Sequence, residues 1–243
     1  MLLEIAANSV ASALAAQEGG AGRVELCTAL ELGGLTPSHA QIALAREHLH
    51  IPLYVLIRPR AGDFLYSDIE CEVMLQDIEA CVALGCDGVV FGALDADGEV
   101  DRPRCRALVS AASNLGVTFH RAFDLTRDPL SSLADLIELR CERVLTSGGR
   151  PTALEGAELI RQLVKRSAGR IAVMPGAGVD AGNIGKLRDM TGANEFHASA
   201  KRQHSSGMRW QPSLLTDMQG GEWRSDVEQI RGIVVALNDA GRG

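Results

Sequence analysis

Short apolar runs alternate with longer amphipathic stretches along the whole chain. The runs fall at residues 2–6, 23–27, 53–57, 88–92, 117–120, 143–146, 171–174 and 195–199. Their length and their content of Val, Ile, Leu and Phe predict buried strands. A segment with helical spacing and its own start signal follows each. Asn8 or Ser9 caps the first helix, which stops at Gly19 and Gly20. Thr36 with Pro37 opens the second, which runs to about residue 49. Ser67 with Glu70, Thr152 with Glu155 and Ser225 with Glu228 have the spacing of capping boxes. They predict helices over 69–84, to about 166, and to about 238. Asp101, Asp128 with Pro129, and Asp180 mark the remaining starts. Asp95 and Asp97 beside Gly98 read as a turn, because the other ligands of a calcium loop are missing.

Eight strand–helix units, each of about thirty residues, predict an α/β fold of the (β/α)₈, TIM-like barrel type. No linker or composition break divides them, so residues 1–243 are expected to form a single domain. An open doubly wound sheet would carry a G-x-G-x-x-G pattern in its first turn. Ala7, Asn8 and Ser9 stand there instead. A polar stretch from about 200 to 223 is longer than ordinary connections and predicts a long loop before the last helix.

Barrel strands alternate between the interior and the layer beneath the helices. An unpaired charge in that outer layer is costly, which fixes the phase of each strand. With Leu3 and Ile5 outward, Glu4 points inward. With Val24 and Leu26 outward, Glu25 and Cys27 point inward. The same reasoning turns Arg58, His120, Glu195, His197 and Ser199 into the barrel. Cys27, Arg58, His120 and Ser199 fall near C-terminal strand ends, where sites in this fold occur. Convergent polar groups of this kind predict a small-molecule pocket, whereas buried ion pairs that only brace the barrel are the structural alternative.

The stretch after the third strand concentrates charge. Pro59 ends the strand, Gly62 permits a tight turn, and Arg58 and Arg60 supply planar forks suited to carboxylate or phosphate. Glycine loops containing Ser147 and Gly148, and Gly176 and Gly178, are candidates to cradle an anion with backbone amides. His120 is the expected leading general acid or base, because its free pKa lies closest to neutral. A glutamate beside a second carboxylate, Glu4 or Glu25, can have its pKa raised enough to share that work. Asp124 is placed to orient either the His120 imidazole or Arg121.

Composition narrows the partners. Hydrophobic residues make up 46% and aromatic ones 4%, so the core is aliphatic, as when helices cover a parallel sheet. The net charge of -7 comes without a basic stripe, so nucleic acid is not expected as a partner. No apolar run approaches the ~20 residues that span a bilayer, so no membrane partner is expected. The N-terminal residues lack a basic segment followed by a long apolar one, which predicts a cytoplasmic location without a signal peptide. The six cysteines have no C-x-x-C spacing and read as reduced thiols. Cys27 and the inward histidines are the soft or borderline metal ligands at the mouth. His204, Met208 and Met218 near Trp210 suit copper chemically, but their spacing is loose and a surface loop or subunit contact is the simpler reading.

Several long motifs occur in order. They are Val24-Glu25-Leu26-Cys27, Gly33-Gly34-Leu35-Thr36-Pro37-Ser38, Ile57-Arg58-Pro59-Arg60, Val117-Thr118-Phe119-His120-Arg121-Ala122-Phe123-Asp124, Arg143-Val144-Leu145-Thr146-Ser147-Gly148 and Gly176-Ala177-Gly178-Val179. In these the sequence resembles the CutC-type copper homeostasis proteins, over most of the chain to about residue 200. The resemblance implies a TIM-like barrel, a cytoplasmic homo-oligomer such as a homodimer, and copper binding or copper tolerance. It implies Cys27 as the ligand of a Cu(I) ion. Where some members carry cysteines after the first strand, this chain has Ala6 and Ala7. Two functions follow: copper binding through Cys27, or acid/base chemistry on a small anionic or phosphorylated metabolite. In the second, Glu4, Glu25, Arg58, His120, Asp124 and His197 are the catalytic set. Arg58, Arg60, Ser147, Gly148, Gly176, Gly178 and Ser199 are then the anion-binding set.

Overall fold

The computed structural model describes residues 1–210 and 220–239. Eight parallel strands form one sheet: β1 (Leu2–Ala7), β2 (Arg23–Leu26), β3 (Leu53–Leu56), β4 (Gly88–Phe91), β5 (Gly116–Phe119), β6 (Arg143–Thr146), β7 (Ala172–Pro175) and β8 (Glu195–Ala198). The ladder runs β7-β6-β5-β4-β3-β2-β1-β8, and β7 lies against β8, so the sheet curls into a TIM-like barrel. Helices α1 (Val10–Glu18), α2 (His39–His48), α3 (Asp68–Ala83), α4 (Arg102–Ala111), α5 (Pro129–Glu138), α6 (Ala157–Ser167), α7 (Ile184–Thr191) and α8 (Val227–Asp239) alternate with the strands.

The outward strand residues Leu3, Ile5, Val24, Leu26, Val55, Phe91, Phe119, Val144 and Phe196 are buried in one continuous hydrophobic cluster with the inner faces of the helices. Each such side chain contributes about 1.5–3 kcal/mol by leaving water. That layer holds every second strand residue outward and so turns the intervening charged residues into the tube. A second, smaller apolar cluster of Cys27, Tyr54, Leu56 and Val90 lies apart from it.

Four helix starts follow the sequence signals. Ser9, Ser67, Asp101 and Asp128 each accept a backbone amide of the first turn, and Ser67 and Glu70 complete a capping box. Four starts differ. The cap of α2 is Ser38, in a box with Gln41, because the Thr36 hydroxyl instead accepts the Arg58 amide at 2.9 Å. Thr152 and Glu155 do pair, at 2.8 Å, but they close a separate turn, and α6 begins at Ala157. Asp180 likewise holds a turn through the Gly182 amide, ahead of α7. At α8, Asp226 Oδ1 accepts the Gln229 amide at 3.0 Å. Ser225 is still in extended backbone there.

Part of the stretch expected as a long loop is ordered sheet. Strands β9 (Lys201–His204) and β10 (Glu222–Ser225) pair antiparallel. Asn8 Nδ2 donates to the Trp223 carbonyl at 2.7 Å, and Ser12 Oγ accepts the Ser225 amide at 3.1 Å. These bonds tie the hairpin to the chain after β1. No helix among the described residues is long and apolar enough to cross a membrane.

Candidate functional site

The floor of the barrel is an ion-paired network. Arg23 donates through Nε to Glu4 and through Nη2 to Glu195 at 2.7 Å. Arg143 pairs with Glu195 and Glu142 and donates to Thr118 Oγ1 at 3.0 Å. Both guanidinium carbons sit over the Tyr54 ring, 5.0 and 5.4 Å from its centre. Glycine is required beneath that ring. A Cβ at Gly88 would lie 2.1 Å from Tyr54 Cε1, and one at Gly116 would lie 2.2 Å from its hydroxyl. Sequence reasoning missed Arg23 and Arg143, although the signal was present. Arg23 shares its phase with Glu25, and Arg143 lies opposite in phase to the outward Val144.

Above the floor, β1, β2 and β8 bring Glu4, Glu25 and His197 together. His197 Nδ1 lies 2.8 Å from Glu4 Oε1 and 3.9 Å from Glu25 Oε2. The two carboxyls differ in what surrounds them. Burial alone would raise Glu4, but the Arg23 charge and the His197 hydrogen bond hold it down at about 2. Glu25 has no such partner on Oε2. Burial pushes it up, the His197 charge opposes this, the Glu4 charge adds to it, and the carboxyl settles at about 7. His197 is raised: burial disfavours its charge, yet the Glu4 hydrogen bond and the two carboxylates outweigh that.

Glu25 and His197 form one side of a cavity of about 280 Å³ at the C-terminal ends of the strands. Arg58, Phe64 and His120 also line it, with Arg121 and Lys201. The His120 ring accepts the Ala122 amide on Nδ1 at 3.1 Å, so its proton resides on Nε2. That Nε2 is buried without a partner, as is Arg58 Nε. The imidazole does not behave as the free side chain would. Burial, with the Arg58 charge added, lowers it to about 3, so it is neutral at physiological pH. Its neutral ring is a hydrogen-bond donor, and the group poised near neutrality is Glu25.

Several expected anion ligands are otherwise engaged. Arg58 lines the cavity, but its Nη1 donates to the Leu32 and Gly34 carbonyls and its Nη2 to Gly62, each at 2.9 Å. Arg60 turns away from the cavity to Asp63, Glu70 and the Leu65 carbonyl. Asp124 does not reach the imidazole. It binds Arg121 Nε at 2.7 Å and accepts the Ser147 and Gly149 amides at 3.0 and 3.1 Å. The Gly148 amide goes to Thr146 Oγ1, and the Gly176 amide to the Thr146 carbonyl. The Ser147–Gly148 loop is therefore satisfied internally and does not line the cavity. Gly178 and Ser199 do line it.

The donors present do not fit Cu(I). Cys27 is buried beside Tyr54, Leu56 and Val90, and burial, with Glu25 and Glu31 adding, raises its thiol far above the ordinary range. A thiolate is the form that binds copper. Among the described residues, Glu4, Glu25 and His197 bring ligand atoms within 4.8 Å of one another. That set has no sulfur, and Arg23 and His197 already occupy Glu4. Cu(I) selects soft ligands. His204 and Met208 are exposed on the hairpin side, and Met218 lies outside the described residues.

Comparison with known proteins agrees with the fold. A family model described as the CutC family matches residues 1–202. A CutC family protein of Xylella fastidiosa is 59% identical over 236 residues, covering 97% of this chain and 88% of its own. The mouse protein named copper homeostasis protein cutC homolog is 49% identical over 214 residues, covering 88% and 79%. The crystal structure of CutC from Streptococcus agalactiae superposes with a TM-score of 0.78 at 34% identity, covering 81% of this chain and 97% of that one. Thiamine phosphate pyrophosphorylase of Pyrococcus furiosus, at 13% identity and a TM-score of 0.62, shares the barrel alone. By its family match and its relatives, the chain belongs to the CutC family.

Proposed function

We propose that the barrel mouth is an enzyme active site that performs acid/base chemistry on a small anionic metabolite. The observation that carries this reading is Glu25: a buried carboxyl with an unpartnered oxygen, facing a cavity, with its pKa near 7. A general acid or base works best when its pKa is close to the operating pH. Arg58, Lys201 and the Asp124-paired Arg121 line the same cavity, and these cationic groups attract an anion.

A role with copper is supported by the name of the mouse relative, copper homeostasis protein cutC homolog, and the Cys27 environment does not favour a bound Cu(I). The family resemblance likewise supports, as part of our reading, a cytoplasmic location and self-association, the latter open to sedimentation velocity.

The test is a ligand-shift melting screen of small carboxylates and phosphorylated compounds. The expected result is a subset that raises the melting temperature of the wild type, with the shift reduced in Arg121→Met, whose side chain is partly exposed. If the screen yields no anion that stabilises the wild type, the reading fails.

A further inference from the structure

Two N–H groups of cavity-lining residues make no hydrogen bond. His120 Nε2 and Arg58 Nε are both buried without a partner, and both residues line the cavity. Leaving a buried donor unpaired costs about 1–3 kcal/mol, so each is a candidate donor to a ligand oxygen.

Both donors are held rigidly. The His120 tautomer is fixed by the Ala122 amide on Nδ1. Gly92 leaves the room for this ring, since a Cβ there would lie 2.6 Å from Nδ1. Arg58 is anchored by the Leu32, Gly34 and Gly62 carbonyls, and its guanidinium lies beside the buried Tyr66 hydroxyl, while its Nε makes no hydrogen bond of good geometry. Phe64 packs against both, 4.8 Å from the His120 ring and 5.1 Å from the Arg58 guanidinium carbon. Fixed donors aimed where negative charge develops are the usual largest source of rate acceleration.

We infer that the substrate is an anion carrying a carbonyl group next to a C–H bond, and that the mouth transfers the proton of that carbon. The Glu25 carboxylate takes the proton. The C–H electron pair becomes a carbon–carbon double bond, and the carbonyl π pair moves onto oxygen. His120 Nε2–H and Arg58 Nε–H hold the resulting enolate oxygen. Protonated Glu25 then returns the proton to carbon, so the step needs no oxidant or co-reactant. A neutral imidazole suits this position because it donates a hydrogen bond without surrendering its proton. Arg121, oriented by Asp124 and by Ser147 Oγ at 2.9 Å, meets the anionic end of the substrate.

This inference rests on the mouth being an acid/base site, and the experiment separates the two. The protein is incubated in D₂O with matched probes. Pyruvate, 2-oxoglutarate and dihydroxyacetone phosphate carry the carbonyl; lactate, 2-hydroxyglutarate and glycerol 3-phosphate lack it. Binding is followed by ligand NMR, and deuterium at the carbon beside the carbonyl by mass spectrometry. The expected result is tighter binding of a carbonyl member than of its partner, with deuterium incorporation that Glu25→Gln lowers roughly 100-fold or more. That isosteric variant removes the base without adding a buried charge. Equal binding of the carbonyl-free partners, or a bound carbonyl member with no exchange above the protein-free rate, overturns the inference and leaves the acid/base site standing. No binding by any probe counts against both.

Discussion

His197 donates Nδ1–H to Glu4 Oε1 at 2.8 Å, although a second carboxyl, Glu25, stands 3.9 Å from the same nitrogen. The asymmetry separates two residues of the same chemistry. Glu4 also holds Arg23, so it stays ionised and acts as the anchor. Glu25 has neither bond and is left able to gain and lose a proton. Two carboxyls with pKa values pushed apart by environment are a common basis for acid/base assignments. Replacing Glu4 by Gln removes the charge that sustains the His197 imidazolium. We expect the His197 pKa to fall in Glu4→Gln, read from the pH dependence of its ring resonances by NMR. An unchanged titration curve removes Glu4 from this role.

The stability of the protein should carry the signature of Glu25. Its carboxyl titrates near 7 when folded, against 4.5 for the free side chain. The folded state therefore binds the proton more tightly. The stabilisation this group provides is complete below about pH 4.5 and is lost as pH rises through 7. Glu25→Gln has no proton to lose. Measured by urea unfolding, the variant should gain on the wild type by roughly 2–3 kcal/mol between pH 5 and pH 8. A gap that stays constant across that range contradicts the raised pKa.

Arg23 and Glu4 form a buried pair, and removing one partner strands the other. Arg23→Met should destabilise the fold by about 3–5 kcal/mol. Adding Glu4→Gln should recover part of this, because the stranded carboxylate is gone. A double-mutant cycle with a coupling of at least about 1 kcal/mol is expected. Strict additivity would show that the two charges act independently.

The sequence showed this architecture where periodicity could act. In β1, β2 and β8, large apolar residues at alternate positions fixed the phase, and Glu4, Glu25 and His197 were read inward for that reason. Arg23 obeys the same rule and was passed over because it opens its strand, where the alternation has only begun. Beyond strand ends the rule has no hold. Arg60 follows Pro59 in a turn, and nothing in its spacing reveals that Asp63 and Glu70 claim it. Asp124 is similar: its partners Ser147 and Gly149 belong to a loop more than twenty residues on. The lowered pKa of His120 was not legible for another reason. Burial sets it, and a strand-end histidine does not display its depth in the sequence.

Gly92 tests the seating of His120. A Cβ there would come within 2.7 Å of His120 Cε1 and 3.0 Å of Ala122 Cβ. Gly92→Ala must therefore displace the ring or the turn after β5. A cost of about 1–3 kcal/mol is expected for such overpacking. The Ala122 amide should lose its bond to Nδ1 and exchange its hydrogen faster. Stability and Ala122 protection equal to the wild type would mean that the ring has room to move.

Cys27 offers the sharpest test of copper binding. Its thiol is buried beside Tyr54, Leu56 and Val90, near the Glu25 carboxyl, and burial and that charge both oppose the thiolate. A Cu(I) ion placed there would have one sulfur, held in its protonated form, and no second soft ligand among the described neighbours. We expect reduced wild type and Cys27→Ala to withdraw equal amounts of Cu(I) from a coloured competing chelator. The other five cysteines are common to both proteins, so any copper they hold cancels in the comparison. The variant should also remain folded, because the change removes only one sulfur atom from an apolar cluster. If the wild type instead binds one Cu(I) per chain and Cys27→Ala does not, the thiol is deprotonated in the complex. In that case, copper binding must supply more free energy than burial and the neighbouring carboxylates withhold.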